Sequence, residues 1–367
     1  MSNPFNPSFG NRPMHFYGRQ EITRSIIGVI DDISSPWRTT LITGIRGSGK
    51  TALLSDIRIN LDNPDVVALY VVPNEALLDS ILTQLYRQLP KSILSSMPEL
   101  KNISVNLGVS VGIEAGKKKP NFTESFSFQV MELIDLYMKH EKHIIFLIDE
   151  AHKHTEDMRV FIGVYQDFIM RNYSVSMVLA GLPTVISDIL NDDVLTFLRR
   201  AKQVELENVE LAVVEYEFKK VFFNLDCVLT ENDVSKVATS TYGYPYLIQL
   251  IGYYLWEDIQ NNNKIIDLDD VLFKSKAELF RNVHKLVYAD LSNSDRAFLY
   301  AMAEDTGLSP VSSIGERMQK NKNYISTYRN RLISSGVIKS GGHGLIGYTY
   351  PYMKEFLYNM KQEQILQ

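Results

Sequence analysis

Eight residues, Gly44-Ile45-Arg46-Gly47-Ser48-Gly49-Lys50-Thr51, fit the spacing G-x-x-x-x-G-K-[ST]. Glycines at these positions let successive backbone N–H groups close around a phosphate, and a helix starting here adds a favourable dipole. Lys50 is expected to reach the β- and γ-phosphates of a nucleotide, the Thr51 hydroxyl to ligate Mg²⁺, and Ala52 to open the helix behind the loop. Binding phosphate is not hydrolysis, which needs an acid to hold the metal and a group to polarise water. Asp149 and Glu150 are the candidates: Asp149 for Mg²⁺ through water, Glu150 for the attacking water. The plainer alternative is that both acids merely end a strand. ATP and Mg²⁺ are the cofactors this set implies.

These groups need elements to hold them. Thr39 to Thr43 is a short β-branched and apolar run before the loop, and Ala52 to Leu61 reads as a helix after it. Ile144 to Ile148 is continuously apolar, which suits a central strand of a parallel sheet buried on both faces. Asp149 and Glu150 then emerge at its carboxyl end, where open α/β sheets place their ligands. Val66 to Val72 is a further buried strand, followed by a helix over 75–89. Helices over 125–140 and 156–172, a strand over 175–179, a helix over 185–191 and a last strand over 204–206 continue the alternation. The class is an α/β parallel-sheet nucleotide-binding core. Between its second strand and the acidic strand, Ile103, Val105, Leu107, Val109, Val111 and Ile113 alternate with small or polar residues. Period two there means a strand or hairpin insertion at about 103–118, either a subunit contact or an edge covering its own core.

Composition bounds the rest. The 367 residues suffice for two or three domains, and 45% hydrophobic with 22% charged residues is ordinary for a globular chain. One cysteine, Cys227, excludes an internal disulfide and a cysteine-rich zinc site, which fits a reducing, cytoplasmic setting. No signal peptide or membrane span is expected. The net charge of −5 hides an asymmetry: residues 290–367 hold nine Lys/Arg against seven Asp/Glu, and the remainder 29 against 36.

Residues 1–14, proline-containing and aperiodic, are expected to form an extended or loose arm. Phe16-Tyr17-Gly18-Arg19-Gln20-Glu21 ahead of the phosphate loop resembles the opening motif of AAA+ and STAND ATPases, and the resemblance implies that Phe16, Tyr17 and Arg19 fold over adenine and ribose. Arg19 and Glu21 serve equally well as surface charges. In many AAA+ proteins the strand after the acidic one ends in a γ-phosphate sensor; Ala180 and Gly181 stand there, so no sensor is assigned. Near the last strand the family carries an arginine finger, which implies Arg200, or Arg199 beside it, reaching a neighbouring subunit. Two adjacent arginines are equally a solvated surface.

Helices over 212–224, 230–241, 245–260 and 267–282 make 210–289 a helical lid after a core over 15–209. Where replication initiators carry G-x-x-R, Gly243-Tyr244-Pro245 resembles the turn of STAND ATPases, and implies nucleotide contact at Tyr244 and Pro245. The last unit, 290–367, has helices over 292–304, 311–319 and 323–335 and then two short strands, the order of a winged helix. Its third helix offers Asn323, Tyr324, Ser326, Thr327, Arg329, Asn330 and Arg331 to a major groove, with Arg317, Lys320, Lys322 and Lys339 at phosphates and His343 a further candidate for the DNA surface. A winged helix used for protein contacts is the alternative. Together these units resemble AAA+ ATPases of the origin-recognition and archaeal type. That implies ATP/ADP exchange, nucleotide-dependent homo-oligomers and double-stranded DNA as partner. A STAND-like switch acting on a protein effector, or a regulator of a transposase, are the other readings.

Overall fold

The computed structural model describes residues 2–8, 18–30, 32–73, 76–89, 122–151, 156–193, 195–223, 229–261 and 266–365. The expected insertion at 103–118, Phe16 and Tyr17 lie outside them. Strands β1 (Thr39–Thr43), β2 (Val66–Val71), β3 (His143–Ala151), β4 (Val175–Gly181) and β5 (Lys202–Glu205) form one parallel sheet in the order β2-β3-β4-β1-β5. The uninterrupted apolar run of β3 is explained by its place between β2 and β4 with helices on both faces.

Alternation along the strands assigns residues to those faces. Ile42, Ile145 and Leu147 meet Ile26 of α1 (Gln20–Ile27) and Leu53, Leu54 and Ile57 of α2 (Lys50–Asn60). Ile144, Phe146 and Ile148 point the other way, into α3 (Leu77–Gln88), α4 (Phe122–Lys139), α5 (Glu156–Met170) and α6 (Pro183–Leu190). Truncating a fully buried strand residue such as Leu147 to Ala costs about 2–5 kcal/mol. That is enough to make sheet packing, rather than helix propensity, hold the phosphate loop between β1 and α2 in place.

The lid comprises α7 (Leu211–Phe222), α8 (Glu231–Ser240), α9 (Pro245–Asn261) and α10 (Leu268–Leu279). A π turn, Phe280–His284, then leads into α11 (Lys285–Ala289). Thr230 and Asp233 close a reciprocal capping box at the start of α8. Helix α9 is buried nearly all round, which is why it reads as apolar without a clear polar face and stands at the centre of the lid.

The C-terminal unit follows as α12 (Asn293–Met302), β6 (Ser309–Pro310), α13 (Val311–Met318), α14 (Lys322–Ser334), β7 (Ile338–Gly342), β8 (Leu345–Tyr348) and α15 (Met353–Ile365). Its strands form an antiparallel sheet in the order β6-β8-β7. Strand β6 and helix α15 were not anticipated. Two residues are too short to show a period, and α15 fills the space between the unit and the lid with Met353, Phe356 and Leu357. Lid and C-terminal unit share one continuous core. At their junction His284 lies fully buried, its Nε2 2.9 Å from the Pro351 carbonyl and its Nδ1 3.2 Å from that of Leu279.

Over the described residues 2–8 the N-terminal arm is extended and anchored rather than loose. Phe5 is 1% exposed and packs against Phe218 and Phe222, each at 5.5 Å between ring centroids. Gly252 on α9 leaves the space for that ring, since a Cβ there would lie 2.2 Å from it. The Asn6 N–H donates to Gln249 at 2.9 Å, and Asn3 donates to the Tyr253 carbonyl at 3.2 Å. A single aromatic anchor and a few backbone bonds thus lay the arm along the lid; composition alone gave no sign of the receiving site.

Candidate nucleotide site

A cleft of about 780 Å³ opens between core and lid. Arg46 to Ala52 floor it, Glu150 and Gly181 stand at the strand ends, and Pro245, Tyr246, Gln249 and Tyr253 of α9 form its roof. The arm residues Asn6, Pro7 and Ser8, together with Arg19, close one end. Of the residues assigned from sequence, Arg19, Arg46 to Ala52, Glu150 and Pro245 line this cleft.

The loop has the features a phosphate needs. Gly47 and Gly49 adopt positive φ, +74° and +93°, and a Cβ on Gly47 would fall 2.2 Å from the Tyr244 hydroxyl. Ser48 is 2% exposed, and its Oγ has no hydrogen-bond partner among the described residues. An orphaned buried hydroxyl on a cradle of backbone N–H groups fits an anionic ligand that supplies the missing partner. Lys50 donates to the carbonyls of Gly44 and Ile45 at 2.8 and 2.9 Å. Burial pulls its ammonium down to about 8, and the nearby Asp149 charge opposes that shift.

The acids are separated by a bulge. Strand β3 pairs with β4 as Ile148↔Leu179 and next as Ala151↔Gly181, so β3 holds one residue more than its partner. Glu150 takes φ +53° at that point, an uncommon conformation for a non-glycine residue. The extra residue changes what alternation predicts: Ile148 and Ala151 face the same core, and Glu150 is turned off the strand end into the cleft. Asp149 instead is 1% exposed and behind the cleft wall, held by the Tyr70 hydroxyl at 2.5 Å and the Glu150 N–H at 2.9 Å. Among the described residues no cluster of three His, Cys, Asp or Glu is placed to hold a metal ion. Thr51 lines the cleft, and Asp149 stands behind its wall, near enough for its charge to act on the Lys50 ammonium.

Three assignments need correction. Tyr244 is fully buried beneath the loop and donates to the Arg46 carbonyl, so it supports the loop rather than lining the cleft. Gly44 and Ile45 do not line it either: Gly44 offers its carbonyl to Lys50, and Ile45 packs outward. Arg200, expected to reach a neighbouring subunit, is exposed at the end of a 3₁₀ turn and away from its own chain's cleft, a placement that leaves that expectation standing. The sequence reading missed Asn6 to Ser8, Gln249, Tyr253 and Tyr70. Nothing in their spacing ties them to the loop; the tertiary fold alone brings them there.

The outer face of the loop is covered by the C-terminal half of the chain. Gly336 abuts Ile45, so that a Cβ on it would lie 2.8 Å from Ile45 Cγ2. Arg46 pairs with Asp290 at 3.3 Å, and the Tyr246 N–H donates to the Gly47 carbonyl at 3.2 Å. Tyr350 lies buried next to Tyr244, and burial holds its hydroxyl up at about 12 against the opposing pull of the Arg46 backbone.

A second cavity, about 980 Å³, lies in the C-terminal unit between α13, α14 and the β7–β8 turn. Lys320, Lys322, Ser326, Arg329 and His343 line it, and Arg329 Nε is buried without a partner among the described residues. The other assigned residues are elsewhere. Arg317 holds Asp305 with two bonds of 2.6 Å, and Arg331 binds Asp295 with Nε at 3.0 Å while covering the Tyr328 ring. Both cations are committed to internal acids, which corrects their assignment to DNA. Tyr324 donates to Ser294, and the Thr327 hydroxyl donates to the Asn323 carbonyl. Asn323, Asn330 and Lys339 are exposed but outside this cavity.

Comparison with known proteins accords with this geometry. Residues 15–164 match the family described as AAA ATPase domain, and residues 281–357 match one described as a domain of unknown function (DUF8462). The chain is similar in fold to a Walker-type ATPase of Pyrococcus abyssi, with TM-score 0.63, 14% identity, and coverage of 95% of this chain and 97% of that one. It is also similar to Cdc6p of Pyrobaculum aerophilum, with TM-score 0.52, 13% identity, and coverage of 98% and 97%. No curated protein matches it. The parallel sheet with its loop between β1 and α2 therefore has the fold of a P-loop AAA+ core. No helix among the described residues is long and apolar enough to cross a membrane.

Proposed function

We propose that the protein binds and hydrolyses ATP, and that its nucleotide state controls a C-terminal winged helix and, through it, engagement of double-stranded DNA and assembly with further copies of the chain. The observation that carries the reading is the contact of Gly336 and Asp290 with Ile45 and Arg46. A nucleotide that reshapes the loop must act on that contact, because close-packed surfaces pass on small shifts. Within the site, Gly47 to Thr51 and Lys50 cradle the phosphates, Thr51 and Asp149 hold Mg²⁺, and Glu150 orients water. Mg²⁺ held there would neutralise phosphate charge. Arg19, with Phe16 and Tyr17, serves the nucleoside end, and Arg200 serves the cleft of a neighbouring copy.

The groove of Lys320, Lys322, Arg329 and His343 supports the DNA part of the reading, since it combines cations with a buried unpaired guanidinium nitrogen. ATP hydrolysis measured with and without duplex DNA tests the coupling, with Lys50→Ala and Glu150→Gln as controls. Stimulation by DNA that both variants abolish is expected. Hydrolysis indifferent to DNA favours a second reading, a STAND-like switch with a protein partner, in which the winged helix is a packing module. The closed contact on the phosphate loop and the Gly243-Tyr244-Pro245 turn favour that reading. Isolation as an inert monomer with bound ADP and no affinity for DNA would establish it.

A further inference from the structure

Tyr70 holds Asp149 without lining the cleft itself. It sits on β2, where the parallel register sets it beside Leu147, two residues before Asp149 on the same face of β3. From there its hydroxyl reaches Asp149 Oδ2, while Oδ1 takes the Glu150 N–H. Both carboxylate oxygens are thus held by donors from separate pieces of backbone, one on each of two strands. The Tyr70 carbonyl accepts in turn from Gln84 of α3 at 2.9 Å, so the strand that carries the phenol is itself fixed.

We propose that Tyr70 is a positioning residue for the metal of this site, fixing the Asp149 carboxylate before the cation arrives. The inference rests on the reading of Asp149 as the acid that holds Mg²⁺. An almost fully buried carboxylate free to turn would lose that freedom on meeting a cation, and affinity would fall accordingly. A donor on the oxygen not taken by Glu150 removes the freedom in advance, and such outer partners of metal-holding groups are worth about 10–100-fold in metal affinity.

Tyr70→Phe keeps the ring and deletes the donor. The measurement is Mn²⁺ binding by electron paramagnetic resonance to full-length protein carrying a non-hydrolysable ATP analogue, beside analogue binding in EDTA and thermal unfolding in EDTA. The expected result is a roughly tenfold rise in the Mn²⁺ concentration for half-saturation, with analogue affinity in EDTA unchanged. A structural tie between β2 and β3 would lower the unfolding temperature without moving the Mn²⁺ curve, and that result would overturn the proposal. Asp149→Asn separates the two layers of inference. If it loses the Mn²⁺ response while Tyr70→Phe matches wild type, only the role of Tyr70 falls. If it keeps the wild-type response, Asp149 is not the metal acid and both fall.

Discussion

Replacing Gly336 by alanine tests whether the C-terminal unit and the phosphate loop are mechanically joined. Gly336 ends α14: its N–H bonds the Ile333 carbonyl at 2.9 Å, and the next N–H, of Val337, bonds that of Leu332 at 3.0 Å. This is a Schellman closure that requires the left-handed φ of +71° found there. Alanine in that conformation costs about 1–2 kcal/mol whatever its surroundings. Its Cβ would also lie 2.8 Å from Ile45 Cγ2 and 3.6 Å from Pro183 Cγ, and the first of these is too close to stand. Overpacking of this kind costs about 1–3 kcal/mol more, relieved only by moving Ile45 or the whole unit. Gly307 supplies the control, with φ +95° and nothing within 4 Å of an added Cβ. Gly307→Ala should therefore show the backbone cost alone in denaturant unfolding. Gly336→Ala should lose the additional 1–3 kcal/mol and weaken ATP about tenfold, the equivalent of 1.4 kcal/mol. Equal destabilisation of the two variants, with ATP affinity at the wild-type value in both, would refute the coupling.

The remaining expectations concern the groove, the arm and the buried histidine. Arg329→Glu should weaken duplex DNA binding and flatten its salt dependence while leaving the fold intact, whereas Arg331→Glu should lower thermal stability by setting a carboxylate against the buried Asp295. DNA affinity at the wild-type value in Arg329→Glu, in fluorescence anisotropy, would remove the groove as the DNA surface. Phe5→Ala should speed hydrogen exchange at the amides of Asn6 and Ser8 and weaken ATP, because residues 6–8 wall the cleft; exchange at the wild-type rate would show the anchor to be idle. For His284, burial lowers the imidazole from the ordinary 6.5 to about 4, so the folded state excludes a proton that the unfolded chain takes up. Its contribution is complete above pH 6.5 and is lost as pH falls from there to 4, about 3 kcal/mol in all. His284→Gln should make the pH dependence of unfolding shallower in that window, and an identical slope would contradict the assignment.

What the chain reveals in advance depends on how local each interaction is. The loop from Gly44 to Thr51 was legible because its chemistry is set by spacing within eight residues, and the run Ile144 to Ile148 because a strand buried on both faces must be apolar throughout. Even there legibility stopped at the next residue. Alternation would set Asp149 and Glu150 on opposite faces, and the bulge that sends only Glu150 into the cleft has no glycine to announce it. The basic stretch from Arg317 to His343 misled for a related reason. Counted along the chain it contains no acid, yet Asp305 lies twelve residues before Arg317 and Asp295 thirty-six before Arg331, and the fold returns both to their cations. The charge left on the surface is what tertiary pairing leaves over, here Lys320, Lys322 and Arg329 together with Glu316 around one groove. Phe5 makes the same point for apolar groups: its seat is assembled from Phe218, Phe222 and the bare backbone of Gly252, more than two hundred residues away. Tyr70 is the sharpest case, since a tyrosine within a strand is unremarkable until the β2–β3 register brings it within reach of Asp149. The candidate phosphate and acid groups were legible because their chemistry constrains neighbours in sequence; the groups packed against them were not, because those contacts are made across strands and between distant segments.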